Sequence, residues 1–134
     1  MLIRTAEWDE VRRLVSASFE EQGIGGTPSP ANGYLVYEED GKVVACQGWR
    51  RLGWLYNEIC HLYVMPKYRN KGIAKLLVRE AIKQLPAKVF LATVLEWNTP
   101  SQRVLSHCGF QAAGTCSSPI TGRTLIVFTL VKTE

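Results

Sequence analysis

From Val64 to Ala74 the chain reads Val-Met-Pro-Lys-Tyr-Arg-Asn-Lys-Gly-Ile-Ala, the stretch whose residue types and spacing point most directly to chemistry. Pro66 stops an apolar run, a basic turn follows, and an apolar pattern of helical period starts at Gly72. The first N–H groups of a helix have no internal acceptors, and the helix dipole is positive at that end. Both effects favour an anion, and a glycine at the start lets a phosphate approach the backbone. Arg69 and Lys71 add positive charge. The expected chemistry is the holding of a phosphorylated ligand. The turn has neither the Gly-x-x-x-x-Gly-Lys-Ser/Thr of a P-loop nor a dinucleotide-binding glycine fingerprint. A basic helix start that only neutralises local acids is the competing reading of the same residues.

The elements that must position this turn follow from pattern and punctuation. Leu2 to Arg4 reads as a short strand. Trp8, Val11, Leu14, Val15 and Phe19 recur at helical spacing, with Thr5 or Asp9 as cap and Gly23 as terminator. Gly23 to Gly33 is a Gly/Pro-rich loop. Tyr34–Tyr37 and Lys42–Arg51 form a hairpin about Asp40-Gly41, since that turn needs positive φ. A second hairpin near Gly53 leads into a strand from Trp54 to Val64. A helix from Gly72 carries Ile73, Leu76, Leu77, Ala81, Ile82 and Leu85 on one face and is ended by Pro86. Val89–Leu95 is a nearly unbroken apolar run, the mark of a buried strand. Thr99 as cap and Pro100 in the first turn open a third helix, closed by Gly109. Gln111–Thr115 and Thr124–Val131 are the last strands. The order β-α-β-β-β-α-β-α-β-β predicts a three-layer α/β (α+β) domain with a mixed sheet.

With 134 residues, one domain over positions 1–134 is expected, and a chain of this size buries roughly two-thirds of its unfolded surface. Hydrophobic residues make up 46% and charged residues 21%, ordinary for a soluble globular protein. No window approaches the ~20 apolar residues of a membrane span, and Met1-Leu2-Ile3-Arg4 does not open a signal peptide. A cytoplasmic location is therefore expected. The net charge of +4 fits nucleic acid or a smaller polyanion such as a nucleotide cofactor. Lys67, Arg69, Lys71, Lys75, Arg79 and Lys83 crowd together, which favours one anionic site. Cys46, Cys60, Cys108 and Cys116 lack the close spacing of a zinc or redox motif, so buried thiols and no metal are expected.

Arg69-x-x-Gly72-x-Ala74, preceded by Leu62-Tyr63-Val64, resembles the acetyl-CoA signature of the GNAT superfamily of N-acetyltransferases, Gln/Arg-x-x-Gly-x-Gly/Ala. A second family block recurs in Asn98, Ser101, Gly109 and Phe110, and the order of elements matches over nearly the whole chain. The resemblance implies a central mixed, mostly antiparallel sheet with helices on both faces. It also implies acetyl-CoA as cosubstrate. Backbone groups of Leu62, Tyr63 and Val64 would pair with the pantetheine arm. The loop N–H groups of Arg69, Asn70, Lys71, Gly72, Ile73 and Ala74 would hold the pyrophosphate. Asn98, with Ser101 in the same block, would fix the splayed fifth strand and touch the pantetheine; a turn-and-cap asparagine is the plainer alternative.

An amine must be neutral to attack a thioester, and with a Lys-like pKa of ~10.4 only about a thousandth is neutral near pH 7.4. A positioned base is typically worth ~10²–10⁴ in rate. The candidates are Glu58 and His61. Glu58 stands eleven residues before Arg69, where the resemblance places a catalytic glutamate acting through water. His61, on the opposite side of an ideal strand, has a near-neutral titration suited to the task. Either could instead be a strand residue without a chemical role. A backbone N–H near Val64 is implied as the oxyanion donor. The family usually has a tyrosine seven residues after the motif asparagine, as general acid for the leaving thiolate; this chain has Leu105.

The function expected is transfer of an acetyl group from acetyl-CoA to a primary amine of a small molecule, peptide or protein. The absent tyrosine keeps a second reading open, a non-catalytic acyl-CoA-binding or regulatory module. Nucleic-acid binding, suggested by charge and by Trp49, Trp54 and Trp97, is set against the packing of those rings at strand and hairpin positions. Partners are therefore an amine acceptor, with no nucleic acid and no membrane; the oligomeric state stays open, a homodimer included. Phe19–Gly33 and Ser117–Arg123 are expected to shape the acceptor site, and Glu20 and Glu21 could draw a cationic amine.

Overall fold

The computed structural model describes residues 2–133. Over them run β1 (Leu2–Ala6), α1 (Trp8–Glu21), β2 (Gly33–Glu39), β3 (Lys42–Arg51), β4 (Tyr56–Val64), α2 (Ile73–Gln84), β5 (Val89–Leu95), α3 (Thr99–His107), β6 (Gln111–Ser117) and β7 (Thr124–Val131), with a 3₁₀ turn at Pro66–Tyr68. The order of elements is the expected one, and β3, β5 and β7 have the expected ends. The strands form one sheet in the order β1-β2-β3-β4-β5-β7-β6. Every neighbouring pair is antiparallel except β4–β5.

Alternation along β2 shows why the sheet is covered twice. Tyr34 and Val36 point toward α1 and pack with Val11, Leu14 and Val15. Leu35 and Tyr37 point the other way and join Ile73, Leu77, Val78 and Ala81 of α2, as the period of two requires. Leu105 of α3 packs on the α2 side. Burial of a Leu or Val side chain stabilises by about 1.5–3 kcal/mol, so each helix is held mainly by this face. The Asp40-Gly41 turn is realised with φ of 52° and 75°, the primed hairpin geometry that Asp-Gly favours.

Several local expectations are corrected. The cap of α1 is Glu7, whose N–H donates to the Glu10 carboxylate at 3.2 Å, in place of Thr5 or Asp9. Asn98, not Thr99, caps α3. On α2 the buried set includes Val78, while Leu76 is exposed. Trp49 packs against the core, but Trp54 is 85% and Trp97 51% exposed, so the packing reading fails for those two. All four cysteines are free, and they range from buried Cys46 to exposed Cys116. No helix among the described residues is long and apolar enough to cross a membrane.

Candidate active site

The central event in the sheet is a split. β4 and β5 pair only through Tyr56–Val89, Asn57–Phe90 and Glu58–Leu91. Beyond Glu58 the strands part, and β5 continues to pair with β7 as far as Leu95. The parting coincides with a bulge in β4. His61 has φ 53°, and the β3–β4 register slips so that His61 and Leu62 together face Gln47. A bulge bends its strand and increases the local twist. It also inverts the alternation: Ile59 faces α2 and Tyr63 faces α1, although they are four residues apart. The expectation that His61 lies across the strand from Glu58 is therefore wrong. The bulge turns the His61 ring to the Glu58 side, where both line one cleft.

Two clefts meet at the split. The first, ≈ 450 Å³, is lined by Leu62, Tyr63, Val64, Asn70, Gly72, Ile73, Ala74, Asn98 and Ser101, with Arg69 at its wall. Asn70 and Gly72 are both left-handed, φ 64° and 81°, which asparagine tolerates and glycine adopts freely. The first helical bond of α2 runs from the Leu76 N–H to the Gly72 carbonyl at 3.1 Å, and no side chain caps this end. The N–H groups of Ile73 and Ala74 thus stand at a cleft wall without an intrahelical acceptor. A Cβ on Gly72 would meet no protein atom within 4 Å, so the space in front of the backbone is open.

Arg69 has a bracing position. Its Nε donates to the Val64 carbonyl at 2.8 Å, its Nη2 reaches both Glu21 carboxylate oxygens at 2.9 Å, and its guanidinium lies over the Tyr63 ring. Its backbone N–H donates to the Pro66 carbonyl at 3.3 Å. Arg69 therefore ties the turn to β4 and α1, and it occupies the Glu21 carboxylate that could otherwise have drawn an amine. Lys71 stands over the Tyr68 ring and outside the cleft lining, whereas Lys75, Arg103 and His107 line it. Asn98 does the work of a cap, accepting the Ser101 N–H at 3.4 Å, and its Nδ2 donates to Gln22 Oε1 at 3.4 Å. Asn98→Ala is expected to cost about 1 kcal/mol of stability through the lost cap, measured by urea unfolding.

The second cleft, ≈ 510 Å³, is lined by Arg50, Glu58, Cys60 and His61 and closed by parts of the 19–29 and 118–121 segments. Ser18, Gln22, Leu62, Asn98 and Ser101 line both clefts. Burial raises the Glu58 carboxyl above its ordinary value, partly opposed by Arg50, whose Nη1 stands 4.0 Å from Glu58 Oε1. Burial, then Arg50, pushes His61 down to about 4. Its Nδ1 lies 2.9 Å from the Tyr34 hydroxyl, which already accepts the Ala31 N–H at 2.8 Å. His61 is thus neutral near pH 7. Burial pushes the Cys60 thiol up to about 12, so it holds its proton and is no thiolate nucleophile. Leu105 is 2% exposed and belongs to the core while touching this cleft.

Arg50, Tyr34 and Gln22 were missed in the sequence. Arg50 had a signal: a hairpin centred on Trp54 pairs position 50 with 58, the register the structure shows. Tyr34 and Gln22 had none, because both reach the site only across the bulge and the α1–sheet packing.

The seven-stranded sheet split beside an uncapped helix start is a fold shared with N-acetyltransferases. Residues 3–110 match the family model of the GNAT acetyltransferases, "Acetyltransferase (GNAT) family", and the chain belongs to that family. The fold is similar to ribosomal-protein-alanine N-acetyltransferase from Brucella melitensis, with a TM-score of 0.74, 19% identity and coverage of 98% of this chain and 100% of that one. It is also similar to an IAA acetyltransferase from Bacillus cereus ATCC 14579, with a TM-score of 0.80, 15% identity and coverage of 98% and 99%. A Salmonella typhimurium protein solved with its cofactor acetyl-CoA gives a TM-score of 0.74, 17% identity and coverage of 100% and 95%. No curated protein sequence matches the chain.

Proposed function

We propose that the protein transfers an acetyl group from acetyl-CoA, held in the first cleft, to a primary amine held in the second. The observation that carries this reading is the meeting of the two clefts where β4 and β5 part, with Glu58 at the last paired position. The residues present suit the cosubstrate: an uncapped α2 start for a diphosphate, an unpaired stretch of β4 for an amide-bearing arm, and Lys75, Arg103 and His107 around the cleft. Bound acetyl-CoA supplies an activated thioester. Glu58 in its ionised form accepts, directly or through one water, the proton that the amine loses as its N–C bond forms. The C–S bond breaks, and the departing thiolate takes a proton from water or from Tyr68, which lines the first cleft. A thiolate nucleophile is not at hand in Cys60, which favours direct transfer over a covalent acyl-enzyme. The second cleft has the volume of a small-molecule site, and a cytoplasmic enzyme acting on a small amine is the reading we favour.

The competing reading, a binding module, follows from Leu105. A thiol has a reference pKa of ~8.5, far below that of an amine, so loss of the thiol is already favoured once nitrogen is deprotonated. A missing acid should therefore cost less than the ~10²–10⁴ typical of a positioned one. Leu105→Tyr is expected to fold with a loss of about 1–3 kcal/mol from overpacking and to turn over equally fast or modestly faster. Steady-state rates of both proteins across pH decide the matter. A wild type inert toward amines that the tyrosine variant acetylates would replace the enzyme by the binding module.

A further inference from the structure

Arg50 and Glu58 are direct cross-strand partners, and among the described residues they are the only Arg, Lys, Asp or Glu side chains lining the second cleft. Around them the wall is mixed: Phe19, Ile24, Val94, Leu95, Ile120 and Leu125 give it an apolar part, and Ser18, Gln22, Thr27, Thr93, Ser118 and Thr121 a polar one. The Arg50 side chain is 33% and the Glu58 side chain 25% exposed, so both are partly withdrawn from bulk water. Arg50 is steadied by one bond from Nη2 to the Ser29 carbonyl at 3.1 Å, with His61 Nε2 at 3.5 Å. At 4.0 Å its approach to Glu58 is longer than a hydrogen bond. Among the described residues its Nη1 and Nε make no hydrogen bond. A guanidinium offers five donors in a fork that matches a carboxylate, so Arg50 presents uncommitted donors beside the base.

We propose that the acceptor is a free apolar α-amino acid, its amine at Glu58, its carboxylate on Arg50 and its side chain against the apolar part of that wall. This rests on the acetyl-transfer reading above. The three bonds from amine nitrogen to carboxylate oxygen in an α-amino acid span about 3 Å, so the molecule can address two charges 4.0 Å apart at once. A polyamine fits poorly, because its second cation would meet Arg50 and no second carboxylate among the described residues lines the cleft. A peptide N-terminus lacks the neighbouring carboxylate altogether.

The test compares free leucine, leucinamide and 3-methylbutylamine as acceptors, with methionine and phenylalanine beside leucine. Wild type, Arg50→Gln and Arg50→Lys are assayed with acetyl-CoA, and folding is checked by melting temperature. A charge-assisted pair predicts a preference for the free acid of about ten- to a hundredfold in kcat/KM, carried mainly by KM. Arg50→Gln should lower the ratio of acid to amide by that ten- to hundredfold, and Arg50→Lys should restore part of it. Any effect of Arg50 on the ionisation of Glu58 acts on all acceptors alike and cancels in that ratio. A wild type that prefers the amide or the bare amine, or a preference that survives in Arg50→Gln, overturns the proposal and leaves acetyl transfer standing. Failure of every amine with wild type would remove both.

Discussion

Glu58→Gln is expected to lower turnover at pH 7 by about 10²–10⁴, the usual worth of a positioned base, while the affinity for acetyl-CoA stays as it was. The pH dependence follows from the burial of Glu58. Burial raises its carboxyl above the ordinary value, against the opposing charge of Arg50, and the ionised form is the base. Wild-type kcat/KM should therefore fall as pH drops through that raised value, and the glutamine variant should lack this limb. Part of its loss should return at high pH, where more amine is neutral without help. Stability carries the opposite sign. A carboxyl with a raised folded-state pKa binds protons more readily folded than unfolded, so its ionised form costs stability above the unfolded pKa and the cost fades as pH falls. Glu58→Gln should therefore melt at the same or a higher temperature than wild type at pH 7. A variant that loses activity because it is poorly folded would melt lower, which separates a chemical role from a structural one. The same profile for His61→Ala, with Glu58→Gln like wild type, would exchange the two residues.

Gly72→Glu is expected to remove the stabilisation that acetyl-CoA gives. At a ligand concentration of about 100 Kd, binding to the folded state alone is worth ≈ 2.7 kcal/mol, on the order of 10 °C in Tm for a domain of this size. The substitution places a side chain and a negative charge where space is open before the α2 start. It also strains a backbone held at φ 81°, so the unliganded variant will melt lower. Gly72→Asn is the control, since asparagine tolerates the left-handed conformation and brings no charge. It should weaken the ligand-induced shift less than the glutamate does. Thermal shifts with and without acetyl-CoA compare the three proteins, and an undiminished shift in Gly72→Glu would move the cofactor away from this helix.

What the sequence made legible was set by local rules. The Asp40-Gly41 turn, the apolar run of β5 and the glycine start of α2 each follow from chemistry within a few residues, and each stands where that chemistry puts it. The basic turn before α2 was visible for the same reason. What escaped depends on longer-range geometry. The bulge at His61 is a non-glycine residue at φ 53°, and nothing in Ile-Cys-His-Leu-Tyr announces it. Without it, parity puts His61 on the wrong side of the strand. The bracing of Arg69 on Glu21 was not visible, because it joins residues 48 positions apart. Trp54 and Trp97 looked buried because aromatic residues at hairpins usually pack, yet both lie exposed.

Two clefts join at the β4–β5 split, and the proposed transfer requires them to hold thioester and amine together. The most direct measurement is release of free thiol from acetyl-CoA by the wild-type protein, followed with and without a panel of amines that includes free apolar amino acids. The expected result is thiol release that depends on an amine, saturates with it and yields the N-acetylated product in equal amount. Tight acetyl-CoA binding with no amine-dependent thiol release across the panel would contradict it, leaving a protein that holds the cosubstrate without transferring its acyl group.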